Sequence, residues 1–214
     1  MDGVLLDSEP LHHRAVNALL AEEAREPLSF EEFSQFLGVT AHDTWRDLIR
    51  RYHLPHPLQS YLERYDALIL DSYRRYSEIA PGAQALLAKL EAHGVPLAVA
   101  SSSRRAWVET CLETLAIRAY FTAIVSGDQV DHGKPDPEIY LLAARELGVP
   151  PEKCFAVEDA PKGIAAALAA GMLTVAVATP YVPRELTEGA HLHISSLSAF
   201  PELWSGCEVR AAEP

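Results

Sequence analysis

The chain has 214 residues, 49% of them hydrophobic, enough for one large domain or a core domain carrying a smaller insertion, which excludes a disordered polymer. Eighteen basic side chains against 30 acidic ones give a formal net charge of -12, which repels a phosphate backbone and argues against nucleic acid as a main partner. No run of about eighteen apolar residues is present and no basic segment leads into an apolar one, so no membrane span or secretion signal is expected and the default is a soluble cytoplasmic protein.

Asp2 and Gly3 stand at the start, followed by Val4, Leu5, Leu6, Asp7 and Ser8. From about residue 11 to residue 79 the apolar residues recur at helical spacing: Leu11, Ala15, Ala18, Leu19; then Phe30, Phe33, Phe36; then Trp45, Leu48, Ile49; then Tyr61, Leu62, Tyr65, Leu68, Ile69. Ser29 with Glu32 reads as a capping box, and Thr40 with Asp43 resembles one with a shorter acid. This stretch is predicted to be a helical unit.

After Pro81 helices alternate with short apolar runs. A helix from Ala83 to His93 stops at Gly94, and the run Val95 to Ala100 ends in Ser101, Ser102 and Ser103. A helix from about Arg105 to Leu115 leads to the run Phe121 to Val125. The loop Gly133-Lys134-Pro135-Asp136 precedes a helix from Pro137 to Leu147, closed by Gly148. Cys154 to Val157 ends in Glu158 and Asp159, and a helix from Pro161 to Ala170 closes at Gly171 ahead of Leu173 to Val177. His191 to Ile194 adds an edge strand. The alternation implies right-handed βαβ units and an α/β fold with a mostly parallel, doubly wound sheet. Cys111, Cys154 and Cys207 lack the spacing of a zinc site and read as reduced bystanders.

In such sheets ligands bind beyond the carboxyl ends of the strands. That rule selects Ser101 to Ser103, Glu158 with Asp159, Lys134 and Asp2. Each has a purely structural reading. Serines after a strand cap the next helix; paired acids ahead of Pro161 are an N-cap and a solvated neighbour; a loop lysine is surface; and Asp2 is a terminal residue. Together they form a complementary set of charges at one sheet edge. Carboxylates, one amine and hydroxyl donors suit a divalent cation and a phosphate: Mg²⁺ takes one or two carboxylates and leaves positions for water and a phosphate oxygen. Asp159, helped by Glu158, could hold it; Ser101 and the amides of Ser102 and Ser103 could meet phosphoryl oxygens; Lys134 could neutralise their charge.

With these motifs in this order, Asp2-Gly3-Val4-Leu5-Leu6-Asp7-Ser8-Glu9, Ala98-Val99-Ala100-Ser101-Ser102-Ser103, Gly133-Lys134-Pro135-Asp136-Pro137-Glu138-Ile139-Tyr140 and Val157-Glu158-Asp159-Ala160-Pro161-Lys162-Gly163-Ile164, nearly the whole chain resembles the haloacid dehalogenase-like superfamily. Within it the chain is similar to the phosphatases and phosphosugar mutases that carry a helical cap. The resemblance implies a Rossmann-like core made of residues 1–10 and 80–214, an inserted helical cap at 11–79, a Mg²⁺ cofactor, a small-molecule phosphate ester as partner and a monomer. It implies Asp2 as general acid and base, with its carbonyl in the metal shell beside Asp159 and Glu158; Ser101 and the Ser102 amide on phosphate; and Lys134 bridging nucleophile and phosphate. Lys162 reads as a solvated helix residue.

The first motif of that family is an apolar strand ending in Asp-x-Asp-Gly, whose first Asp is the nucleophile that becomes an aspartyl phosphate. Asp2-Gly3 matches the second Asp and its Gly, with Met1 at the x position, so the nucleophile is expected one residue before Met1. The natural product is accordingly expected to extend upstream by about one strand, five to seven residues, and the 214-residue form is expected to be inactive. About four or five apolar side chains on a central strand contribute on the order of 10 kcal/mol at roughly 1.5–3 kcal/mol each. That is comparable with the whole stability of a domain, about 5–15 kcal/mol, so poor folding without the strand is expected as well.

The resemblance further implies a cap that closes over the site, with hinges near Asp7 to Leu11 and near Ile79 to Gly82. His12 is in the position of a cap histidine that the mutases use with the acid/base Asp; it also reads as a half-exposed helix histidine beside His13. Gly38-Val39-Thr40 resembles the cap loop that faces substrate. In β-phosphoglucomutase an arginine just after that loop grips a second phosphate; this chain has Ala41 there, with Arg46 a substitute one helical turn on. A small-molecule phosphatase is therefore favoured over a mutase, and a catalytically inactive protein that binds a phosphorylated metabolite is the third reading.

Overall fold

In the computed structural model of the chain, residues 1–36 and 39–200 are described. The chain divides into two units, one made of residues 1–7 with the chain from Glu78 onward, the other of Ser8–Ser77.

The unit Ser8–Ser77 is helical. Helices α1 (Glu9–Glu22), α2 (Phe30–Phe33), α3 (Ala41–Tyr52) and α4 (Leu58–Tyr76) account for its apolar periodicity. Helix α1 starts ahead of the first periodic residue, Leu11, because Pro10 occupies its first turn, where the missing N–H costs nothing. The Ser29/Glu32 capping box is present in both directions, and Thr40 Oγ1 accepts from the Asp43 amide. Helix α4 packs on α1 and α3, and the Trp45 and Tyr61 rings stack at 5.2 Å between centroids, both fully buried.

The other unit is α/β. Its strands are β1 (Ala98–Ser101), β2 (Ala123–Ser126), β3 (Phe155–Glu158), β4 (Leu173–Val177) and β5 (Leu192–Ile194). They alternate with α5 (Ala83–Ala92), α6 (Arg105–Thr114), α7 (Glu138–Leu147) and α8 (Pro161–Ala169). Strand β1 begins later than the apolar run at Val95, because the Val95 amide closes the preceding helix on the Leu90 carbonyl at 3.0 Å and Pro96 has no N–H to donate. Gly148, at φ 69°, ends α7 in the left-handed conformation that favours glycine.

All strand pairs are parallel. Residues alternate between two core clusters: Val99, Ile124 and Val175 join Leu86, Leu87, Val108 and Leu112, whereas Val125 and Ala156 join Ile139, Ala143, Ala166 and Ala167. Helices therefore cover both faces, the doubly wound arrangement that the alternation predicts. One feature differs from a continuous sheet. Strand β1 pairs with β2, and β3 with β4 and β5, as two separate sheets, and a cavity of about 280 Å³ lined by Leu97, Val99, Phe155, Val157, Val4 and Leu5 opens between β1 and β3. Residues 1–6 do not bridge it. The Val4 and Leu5 amides both donate to the Met1 carbonyl, at 3.2 and 2.8 Å, forming a turn, and the Leu5 carbonyl accepts from the Ala80 amide at 2.8 Å. Among the described residues no helix is long and apolar enough to cross a membrane.

Candidate active site

Parallel strands deliver their carboxyl ends to one edge, and here β1 ends in the buried Ser101 and β3 in the buried Glu158. The loop ahead of α7 brings Lys134 between them. Its ammonium donates to Glu158 Oε1 at 2.5 Å and to the Ala100 carbonyl at 3.1 Å, and lies 4.8 Å from the centroid of the Tyr140 ring. The Tyr140 hydroxyl donates to the same Glu158 oxygen. Lys134 and Glu158 are thus a largely desolvated ion pair with an added hydrogen bond, the condition under which such a pair is tolerated in a protein interior. Burial, the largest single influence, raises the Glu158 pKa, but the Lys134 and amino-terminal charges and the hydrogen bonds from Lys134 and Tyr140 together hold the carboxyl below its ordinary range. The Tyr140 phenol is pushed well up by burial and by the Glu158 charge.

Asp2 is held at the end of β1. Its Oδ2 accepts from the Ser103 hydroxyl at 2.9 Å and from the Ser101 hydroxyl at 3.4 Å, while Ser101 Oγ itself accepts from the Ser103 amide at 3.1 Å. Gly3, at φ 67°, sets the adjoining backbone against Asp159: a β-carbon there would stand 2.0 Å from Asp159 Oδ2. Gly163 performs the same service for Glu158, whose carboxyl carbon would be 2.1 Å from an added β-carbon.

Asp2, Ser101, Lys134, Glu158 and Asp159 are therefore brought together. Ser102 is exposed, and its carbonyl faces Gly127; it is Ser103 that contributes a hydroxyl to Asp2. Tyr140 and Gly163 are residues of this cluster that the sequence reading gives no role, and Ser103 enters it through its hydroxyl rather than the amide expected. Tyr140 carried the clearest signal, since a buried tyrosine in an apolar helix needs a partner for its hydroxyl.

The charge balance fits a divalent cation. Asp159 is raised from its ordinary 3.8 to about 7 by burial first and then by the Glu158 and Asp2 charges, with the amino terminus opposing. A carboxylate held that far up is in surplus negative charge, which a cation would relieve. Among the described residues no cluster of three or more His, Cys, Asp or Glu side chains is arranged to hold a metal. Glu158, expected as a ligand, has Oε1 engaged by Lys134 and Tyr140.

The described candidate residues of the helical unit make contacts within it. His12 lies between two tyrosines, Nδ1 2.7 Å from the Tyr65 hydroxyl and Nε2 3.2 Å from the Tyr73 hydroxyl, and both tyrosines are buried. Thr40 caps α3, and the exposed Arg46 donates to Asp43 Oδ1 at 2.9 Å and contacts His42 Nδ1 at 3.0 Å. Gly38 lies outside the described residues, as does Cys207. Cys111 and Cys154 are free thiols.

Comparison with known proteins adds to this geometry. Residues 1–177 match the family described as haloacid dehalogenase-like hydrolase. A probable pseudouridine-5'-phosphatase of Drosophila melanogaster is 35% identical, over 94% of this chain and 88% of that protein. A phosphorylated carbohydrates phosphatase of Thermotoga maritima is 34% identical over 80% of this chain and 79% of its own. Among solved structures, CbbY from Rhodobacter sphaeroides in complex with phosphate superposes with a TM-score of 0.83 at 29% identity, covering 92% of each chain.

Proposed function

We propose a specific reaction for a chain that belongs to the haloacid dehalogenase-like hydrolases and is a hydrolase of their phosphatase branch: Mg²⁺-dependent hydrolysis of a small, sugar phosphate-like monoester through an aspartyl phosphate whose carboxylate stands one residue before Met1. The observation that carries it is the gathering of Asp2, Ser101, Ser103, Lys134 and Asp159 at one strand edge.

In this reading Asp2 is the general acid and base. The Ser101 and Ser103 hydroxyls orient its Oδ2, so the remaining oxygen can hand a proton to the leaving group and later take one from water. The Ser102 amide faces a phosphoryl oxygen, and the Ser101 hydroxyl, held to Asp2 by a long contact of 3.4 Å, turns to another when phosphate binds, while the Ser103 amide stays on Ser101 Oγ. Lys134, fixed by Glu158, Tyr140 and the Ala100 carbonyl, balances the charge of the phosphate. Asp159, with the Asp2 carbonyl, would hold Mg²⁺, which neutralises phosphoryl charge when bound.

Hydrolysis is favoured over phosphosugar transfer by Ala41 and by Arg46. Arg46, one helical turn on, lies against Asp43 and His42 on its own helix. The substrate classes named for the relatives, a nucleoside phosphate and phosphorylated carbohydrates, support a phosphorylated metabolite of modest size. The test is phosphate release from a panel of sugar phosphates and nucleoside monophosphates, by the chain extended at Met1 with an apolar strand ending in Asp. Release that needs Mg²⁺ and no bisphosphate supports the proposal. Interconversion of glucose 1-phosphate and glucose 6-phosphate would make it a mutase, and tight binding without turnover would make it a metabolite-binding protein.

A further inference from the structure

We propose that Glu138 is a positioning residue for Lys134: its carboxylate fastens the exposed loop 131–136 to the first turn of α7, and the fastened loop carries the lysine to the ends of β1 and β3. The fastening stands on geometry alone, and its consequence for phosphate rests on the function proposed above.

The loop has no core of its own. Residues 131–133, 135 and 136 are exposed, Pro135 among them, so no apolar side chain of the loop is buried. Lys134 is the exception, with its side chain only 11% exposed. A segment that buries no apolar surface opens readily unless its backbone groups are tied down.

Glu138 supplies the tie. Its Oε1 accepts from the Asp131 amide at 3.0 Å and its Oε2 from the His132 amide at 2.9 Å, with His132 Nδ1 3.2 Å from the same oxygen. Both oxygens of one carboxylate thus hold two successive amides just ahead of Lys134. On the far side of the lysine, the Glu138 amide donates to Asp136 Oδ1 at 3.0 Å and the Asp136 amide to the Gly133 carbonyl at 3.1 Å. Lys134 is enclosed between the two arms of this bracket. The Asp131 and His132 amides keep the Glu138 carboxyl below its ordinary range, so the bracket closes on a charged acceptor, which makes stronger hydrogen bonds than a neutral one.

The lysine needs a fixed backbone because its stem is flexible. Its ammonium meets the Ala100 carbonyl, the Tyr140 hydroxyl and the Glu158 carboxylate at once. Tyr140 stands two residues after Glu138 in the same helix. Fastening the loop to that helix therefore fixes the lysine backbone relative to a partner of its own ammonium.

The experiment uses the 214-residue chain and its Glu138→Ala and Glu138→Gln variants, each well below its own Tm. Brief acetylation with acetic anhydride, followed by peptide mass spectrometry, gives the rate at Lys134 relative to Lys89, Lys153 and Lys162, which are exposed. Lys134 is expected to react at least about tenfold faster in Glu138→Ala, because an opened loop frees the ammonium, with Glu138→Gln, which keeps one acceptor, in between. Calorimetry is expected to show affinity for inorganic phosphate in the presence of Mg²⁺ falling at least about tenfold in Glu138→Ala, as misplacement of a charged group implies, with affinity for Mg²⁺ alone unchanged. A lowered Tm with the relative rate at Lys134 unchanged would overturn the proposal, since Glu138 would then only stabilise the fold. The acetylation rate reads the loop whether or not the chain takes up phosphate. Faster acetylation with phosphate affinity unchanged would leave the bracket standing and count against Lys134 as a phosphate-binding group.

Discussion

Gly3 packs so closely on Asp159 that a β-carbon at Gly3 would stand 2.0 Å from the Asp159 carboxylate oxygen. Backbone with no room for a β-carbon limits where the carboxylate can point, and the positive φ at Gly3 is part of the same arrangement.

Replacing Gly3 by alanine should therefore displace Asp159. The backbone conformation adds about 1 kcal/mol of strain, and Mg²⁺ affinity should fall at least tenfold, as expected when the support of a ligand is lost. Calorimetric titration with Mg²⁺ beside a thermal melt separates the two effects. Unchanged Mg²⁺ affinity in Gly3→Ala would mean that Asp159 is not a ligand.

Lys134→Met should destabilise the fold by about 3–5 kcal/mol, because it leaves the Glu158 carboxylate buried without its cation. Adding Glu158→Gln should recover much of that loss, since no buried charge then remains. Urea denaturation of the two single variants and the double variant reads the coupling. Additive losses would show that the pair is not mutually dependent.

The Asp159 carboxyl, raised to about 7 chiefly by burial and then by Glu158, gives stability a definite pH dependence. Between its unfolded value near 3.8 and its folded value the native chain keeps a proton that the unfolded chain has released, so this contribution falls as pH rises and is lost above about 7. Mg²⁺ binds the ionised form. The rise in Tm on adding Mg²⁺ should accordingly be larger at about pH 8 than at about pH 5.5. An equal rise at both would place the cation elsewhere.

His12→Ala should cost about 1–3 kcal/mol, because it removes the partner of two buried tyrosine hydroxyls. In the background of Tyr65→Phe and Tyr73→Phe the same substitution should cost clearly less. A cost independent of the tyrosines would show that these hydrogen bonds do not hold the helix pair.

Much of the α/β unit is written locally. The run Leu173 to Val177, set off by Gly171, is β4 as the apolar pattern predicts, and the capping box at Ser29 is formed by the residues that spell it. Strand β1 starts late because Pro96 interrupts the ladder, a local signal that apolar content alone overrides. The strand-end rule selects Asp2, Ser101, Lys134 and Asp159, which the fold brings together, because that rule follows from parallel topology. Tyr140 and Gly163 escape it, since their roles arise from packing, Tyr140 against Glu158 and Gly163 beneath a carboxylate; Ser103 is selected for its amide, whereas it is its hydroxyl that reaches Asp2. The engagement of Glu158 by Lys134 is likewise a matter of packing, and a Glu-Asp pair in a sequence does not reveal which acid faces a cation and which faces an amine.

Binding of inorganic phosphate to the 214-residue chain, followed by calorimetry with and without Mg²⁺, tests most directly whether these side chains form one site. Saturable binding that requires Mg²⁺ and is lost in Ser101→Ala, in Lys134→Met and in Asp159→Asn is the predicted result. Phosphate binding that persists in all three variants, or that is indifferent to Mg²⁺, would contradict it.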